Sequence, residues 1–148
     1  MGKRPDIDLD DVQTSFGYQK ASSPFDWTTY IRQQKAPQAL SVLNQLLKEG
    51  EEPIRLLALL SRSVRDWLGA KGSSDNPMML AMRFHLKRGE EGRFIQELGR
   101  WSEDALTEGL GQCVETEQAI KTGKETPDMA LTLLTLGLCR SQTSHALR

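Results

Sequence analysis

Leucine recurs in this chain at the spacing of one helix face, segment after segment, and that spacing restricts the fold more than any other feature. Ala39, Leu40, Leu43, Leu46 and Leu47 stand at i, i+1, i+4, i+7 and i+8, a single stripe on a helix. Leu56, Leu57, Leu60, Val64, Trp67 and Leu68 form a second, broader stripe, which Ile54, Ala58 and Leu59 widen further. Leu106, Leu110, Cys113, Glu117 and Ile120 make a third, and Ala130, Leu131, Leu134 and Leu138 a fourth. Leu133 and Leu136 point elsewhere on that last helix, so it is expected to be largely buried. Leucine occurs 21 times against 9 for valine and isoleucine together, a bias toward side chains that keep their rotamer freedom in a helix. No segment sustains period-two alternation.

Start and stop signals divide the stripes into separate helices. Asp26 is expected to cap a short helix carrying Trp27, Tyr30 and Ile31. Pro37, Pro53, Pro77 and Pro127 suit first turns, where no amide partner is needed, and Gly50 and Gly123 suit helix stops. Asn76 and Ser102 are the expected caps of two further helices. Phe94, Ile95 and Leu98 mark a short helix between the breaks at Gly89 and Gly92 and the cap at Ser102. Trp101, just before that cap, suits a hydrophobic staple. Asp8 to Val12 has the acids of a short helix start. The expected fold is all-α, a single compact helical bundle of six to eight helices in 148 residues.

Charge and motif then limit the chemistry. With 19 basic and 20 acidic residues the net charge is -1, which argues against a scaffold whose main task is gripping nucleic acid. No apolar run is long enough for a membrane span, and the first residues lack a secretory pattern. Cys113 and Cys139 fall within apolar helical patterns and read as buried free thiols, which together with the missing signal places the chain in the cytoplasm. There is no phosphate-binding glycine loop, and no cofactor is expected. His85 and His145 have no ligand-spaced partners, so no metal is expected. Met78, Met79 and Met82 suit core filling better than an adaptable binding surface.

Glu117 is the one acid inside an apolar stripe. A catalytic acid and a buried ion pair are the two readings. No second acid or nucleophile accompanies it, so a structural pair with Arg65, or failing that Arg62, is expected. Arg55, Arg62 and Arg65 form a basic face, offset by Asp66 one turn after Arg62. Arg55, Arg62, Asp66 and Lys121 are the candidates for a contact with a partner. Lys121 also suits the last turn of its own helix.

Two blocks in order give a family resemblance. Gly50-Glu51-Glu52-Pro53-Ile54-Arg55-Leu56-Leu57-Ala58-Leu59-Leu60, followed by Arg62 and Arg65, resembles the C-terminal domain of the bacterial DNA polymerase III delta subunit. Glu115-Thr116-Glu117-Gln118-Ala119-Ile120-Lys121-Thr122-Gly123, then Pro127 and a leucine-rich helix, is similar to that family's acidic-x-Ala-Ile-Lys-Thr-Gly close. The similarity runs over about residues 25–140, with the stretch from about 70 to 100 departing from the pattern, and residues 7–15 resemble the end of the small domain that precedes it. The resemblance implies a division into residues 1–24, a lead-in with the end of that preceding domain, and residues 25–148, a helical collar domain of the clamp loader. It also implies a non-catalytic assembly role with other clamp-loader subunits as hetero-oligomeric partners. The sliding clamp would be reached only through domains that this chain lacks, DNA contact would be weak or indirect, and no membrane is involved. Met1-Gly2, just before a domain boundary, favours a fragment of a longer protein over a natural short one. The alternative is a stand-alone helical nucleic-acid-binding or adaptor protein using the Arg55, Arg62 and Arg65 face. A small hydrolytic enzyme is the third reading and needs a perturbed acid near Glu117.

Overall fold

The structure, a computed structural model, describes residues 22–73 and 76–146, with side chains through Arg140. Seven helices follow one another among the described residues: α1 Pro24–Arg32, α2 Ala36–Lys48, α3 Pro53–Lys71, α4 Pro77–Arg83, α5 Glu91–Gly99, α6 Glu103–Lys121 and α7 Pro127–Ala146. The helix start expected near Asp8 lies outside the described residues.

Local chemistry explains most boundaries. Ser23, rather than Asp26, caps α1. The Ser23 hydroxyl accepts the Phe25 amide at 3.1 Å, and the Ser23 amide donates to Asp26 at 3.0 Å, a reciprocal box that satisfies two orphan donors. Asn76 accepts the Met79 amide at 2.9 Å to start α4, and Ser102 accepts the Ala105 amide at 2.9 Å to start α6. Gly50 and Gly123 adopt φ of +89° and +75° after α2 and α6, the left-handed conformation that glycine enters without a Cβ clash.

The bundle is built on α3, α6 and α7. α3 packs along α6, α6 along α7, and the α1–α2 hairpin closes over α7 and α3. Leu60 and Val64 of α3, Leu106 of α6, Leu131 and Leu138 of α7, Leu43 and Leu46 of α2, and Trp27 and Ile31 of α1 are all buried in one core. A Cβ on Gly109 would stand 3.0 Å from Leu138 Cδ2 and 3.8 Å from Val64 Cγ1. The bare glycine therefore allows α6 to approach both neighbours closely. The Trp27 indole donates to the Thr135 hydroxyl at 3.2 Å, and that hydroxyl donates to the Leu131 carbonyl at 2.8 Å. This buried relay ties α1 to α7 without leaving a polar atom unpaired.

α4 and α5 pack on each other as a small appended pair, with the Phe84 and Phe94 rings 4.7 Å apart. Three expectations are corrected in the outer layer. Met78, Met79 and Met82 are 71%, 52% and 73% exposed and do not fill the core, because the short α4 turns only Leu80 fully inward. Ile54 and Ala58 face solvent, so the buried arc of α3 is narrower than its composition suggests. Leu133 is half exposed and Leu136 is only partly buried, so α7 has an open side.

Candidate functional site

Where α1, α3 and the α4–α5 pair meet, they leave a cleft of ≈ 760 Å³. Its floor is a buried ionic clamp. Glu97 of α5 is 5% exposed, yet both of its carboxylate oxygens are bonded. Arg32 Nε donates to Oε1 at 3.0 Å and Gln33 Nε2 donates to Oε2 at 2.9 Å, both from the end of α1. The Arg32 guanidinium also lies 4.8 Å from the Phe94 ring centroid and 5.8 Å from that of Trp67. Trp101 donates its indole N–H to the Arg32 carbonyl at 2.9 Å, and Lys71 donates to the Leu98 carbonyl at 3.2 Å. A charge this dry persists because every strong acceptor has a donor and the cation has two aromatic faces. The clamp thus holds α5 against α1.

The cleft walls mix apolar and charged groups. Phe25, Leu59, Phe84 and Leu86 supply the apolar part, with Phe25 66% exposed. Arg62 and Arg93 bring positive charge, and among the described residues neither has a carboxylate partner. Asp66 and Glu90 bring negative charge, but Glu90 already accepts the Lys87 amide at 2.8 Å. His85, exposed and at φ +56°, stands at the rim.

The structure does not form the pair expected between Glu117 and Arg65. The Glu117 side chain is 42% exposed and bonds Lys121 at 2.8 Å, one turn along its own helix, so it needs no cation from α3. Arg65 is exposed and lies near Cys113 instead. Burial pushes the Cys113 thiol up, while a hydrogen bond with Ser61 and the Arg65 charge pull it back. Cys139 is pushed up to about 11 by burial. Both cysteines are buried thiols outside any disulfide, as their positions in the stripes suggested. Arg55, Arg62 and Asp66 are exposed, but only Arg62 and Asp66 share the cleft. Lys121 is 60% exposed at the far end of α6.

The clamp was missed in the sequence although its signal was present. Glu97 stands between Phe94 and Leu98 on the inward face of α5, the same anomaly that singled out Glu117. Among the described residues no group of three or more His, Cys, Asp or Glu is placed to hold a metal ion.

Fold and cleft together define the class: an all-α domain in which a small helix pair is latched onto a larger bundle. Residues 21–138 match the family model of the DNA polymerase III delta subunit, C-terminal domain, and the chain belongs to that family. It is similar to the DNA polymerase III subunit delta of Bacillus subtilis (strain 168), 26% identical over 145 residues that cover 95% of this chain and 41% of the relative. It is also similar to the DNA polymerase III subunit delta of Escherichia coli (strain K12), 28% identical over 101 residues, 67% of this chain and 29% of the relative. The chain spans less than half the length of these relatives.

Proposed function

We propose that the chain is a non-catalytic assembly domain, joining other clamp-loader subunits in the collar that supports sliding-clamp loading. The observation that carries this reading is the family match across residues 21–138, which takes in nearly all of the described bundle. In this reading residues 25–148 are the collar-type domain and residues 1–24 lead into it from the domain before. The action is geometric. A rigid bundle holds its neighbours in order around a ring, and no bond is made or broken in it.

Helix-to-helix assembly needs apolar surface outside the core. Met129 and Leu133 are 48% and 52% exposed and stand one turn apart on α7, so they offer an unpartnered strip on the longest helix. Arg55, Arg62 and Asp66 on α3 and Lys121 at the end of α6 are exposed and are the polar partner contacts in this reading. Contact with DNA is weak or indirect, in keeping with a net charge of -1. No helix among the described residues is long and apolar enough to cross a membrane, and the cytoplasm is the proposed location.

The test mixes the chain with the other clamp-loader subunits of its own source and follows co-elution on gel filtration. Co-elution that Met129→Glu with Leu133→Glu abolishes is the expected result. Failure to associate, together with tight salt-sensitive binding of primed DNA that vanishes on replacing Arg55, Arg62 and Arg65 with alanine, would establish the nucleic-acid binder in its place.

A further inference from the structure

We propose that α4 and α5 form one cooperative unit that opens and unfolds while α1, α2, α3, α6 and α7 stay folded, with Glu97 as its latch. The proposal concerns the molecule's own equilibrium and does not rest on the assembly role. Three observations converge on it. The first is how little apolar surface fastens the pair. The other five helices pack along one another, whereas α4 and α5 pack chiefly on each other. From Asn76 to Gly99 the only buried side chains are Leu80, Phe94, Glu97 and Leu98, and one of these is an ion. Met78, Met79, Met82 and Ile95 face solvent and add nothing to the attachment.

The second observation is that the remaining ties are polar. Glu97 accepts from Arg32 at 3.0 Å and from Gln33 at 2.9 Å, and the Leu98 carbonyl accepts from Lys71 at 3.2 Å. A Cβ on Gly69 of α3 would stand 3.1 Å from Arg83 Nη2, so the α4 guanidinium lies against that glycine. Opening returns both ions of the clamp to water and recovers their desolvation cost, so the intact pair favours the closed form only weakly. Loss of one partner strands the other and favours opening strongly. The third is cohesion within the unit. The Phe84 and Phe94 rings lie 4.7 Å apart, the Leu86 amide donates to the Ala81 carbonyl at 2.8 Å, and the Lys87 amide donates to Glu90 at 2.8 Å. Helices of 7 and 9 residues do not persist alone, so neither outlasts the other once the pair is released. Arg32 stays on the bundle, where Trp101 donates to its carbonyl at 2.9 Å and its guanidinium lies 5.8 Å from the Trp67 ring centroid. The open form therefore uncovers Trp67 and the donors of Arg32 and Gln33, and the molecule has two forms that differ in the surface offered beside α1 and α3.

The experiment is amide hydrogen exchange of the full chain, read by NMR at rising low concentrations of urea. The expected result is that the amides of residues 81–84 and 95–99 converge on one protection factor, about 100-fold or more below that of residues 60–64, 109–113 and 131–135. Their protection should fall with urea, since the opening exposes surface, but less steeply than that of the bundle amides. Glu97→Ala should speed exchange of the α4–α5 amides about 100-fold or more. Leu131→Ala, at a fully buried position of α7, should speed exchange of the bundle amides and leave the α4–α5 amides unchanged, because the open form keeps that part of the core. The measurement on the parent chain decides by itself should Leu131→Ala fail to fold. Three results would overturn the proposal: α4–α5 amides sharing the bundle's protection and urea slope, α4–α5 amides exchanging one by one with no common value or urea dependence, or Leu131→Ala speeding both sets equally. Unchanged exchange in Glu97→Ala would overturn the latch.

Discussion

Glu97 is almost fully buried, and its two carboxylate oxygens accept from two donors, Arg32 Nε and Gln33 Nε2. Its replacement by alanine strands the Arg32 guanidinium, whose side chain is only 14% exposed. Breaking a buried pair from one side costs about 3–5 kcal/mol, so Glu97→Ala should lower Tm by on the order of 10 °C in a thermal melt. Arg32→Met combined with Glu97→Leu should recover much of that loss, since a well-packed apolar replacement removes both desolvation penalties. An Ala variant that melts like the parent would show that the clamp contributes nothing. The thiols make a second test at this scale. Cys139 is raised from 9.0 to about 11 by burial, and Cys113 is raised as well. A group whose folded pKa lies above its unfolded value holds its proton longer in the native state, so its contribution is intact below pH 9.0 and is lost as pH rises toward about 11. Tm should therefore fall across that window, and Cys139→Val should flatten part of the fall. At pH 8 a thiol reagent should label the native chain slowly and the denatured chain fully.

Among the elements, close approach at Gly109 sets the geometry of the central helices. A valine there would press on Leu138 and Val64, and overpacking of this kind typically costs about 1–3 kcal/mol. Gly109→Val should lower the denaturation midpoint, whereas Gly111→Ala, with nothing within 4 Å of its Cβ, should leave it unchanged or raised. Helix positions were largely legible in the sequence, because leucine spacing and the Asn76, Ser102, Pro53 and Pro127 signals act through local chemistry. Burial was less legible. Met78, Met79 and Met82 are apolar, yet α4 has 7 residues and too few neighbours to cover them. Glu117 occupies a stripe position, yet it lies in the last turns of α6, where the apolar cover thins and Lys121 is one turn away. Glu97 and Arg32 are 65 residues apart, and no local pattern pairs them.

For the whole molecule, two ordered sequence blocks on α3 and at the end of α6 were enough to indicate the family that residues 21–138 match. The cleft was not legible, since α1, α3, α4 and α5 bring it together from separate parts of the chain. For the assembly role proposed above, the direct measurement is native mass spectrometry of the chain mixed with the clamp-loader subunits of its source. A discrete hetero-oligomer containing the chain at fixed stoichiometry, dissociated by Leu133→Glu, is the expected result. The chain remaining alone while those subunits assemble with one another and their own intact delta subunit would contradict the assembly account.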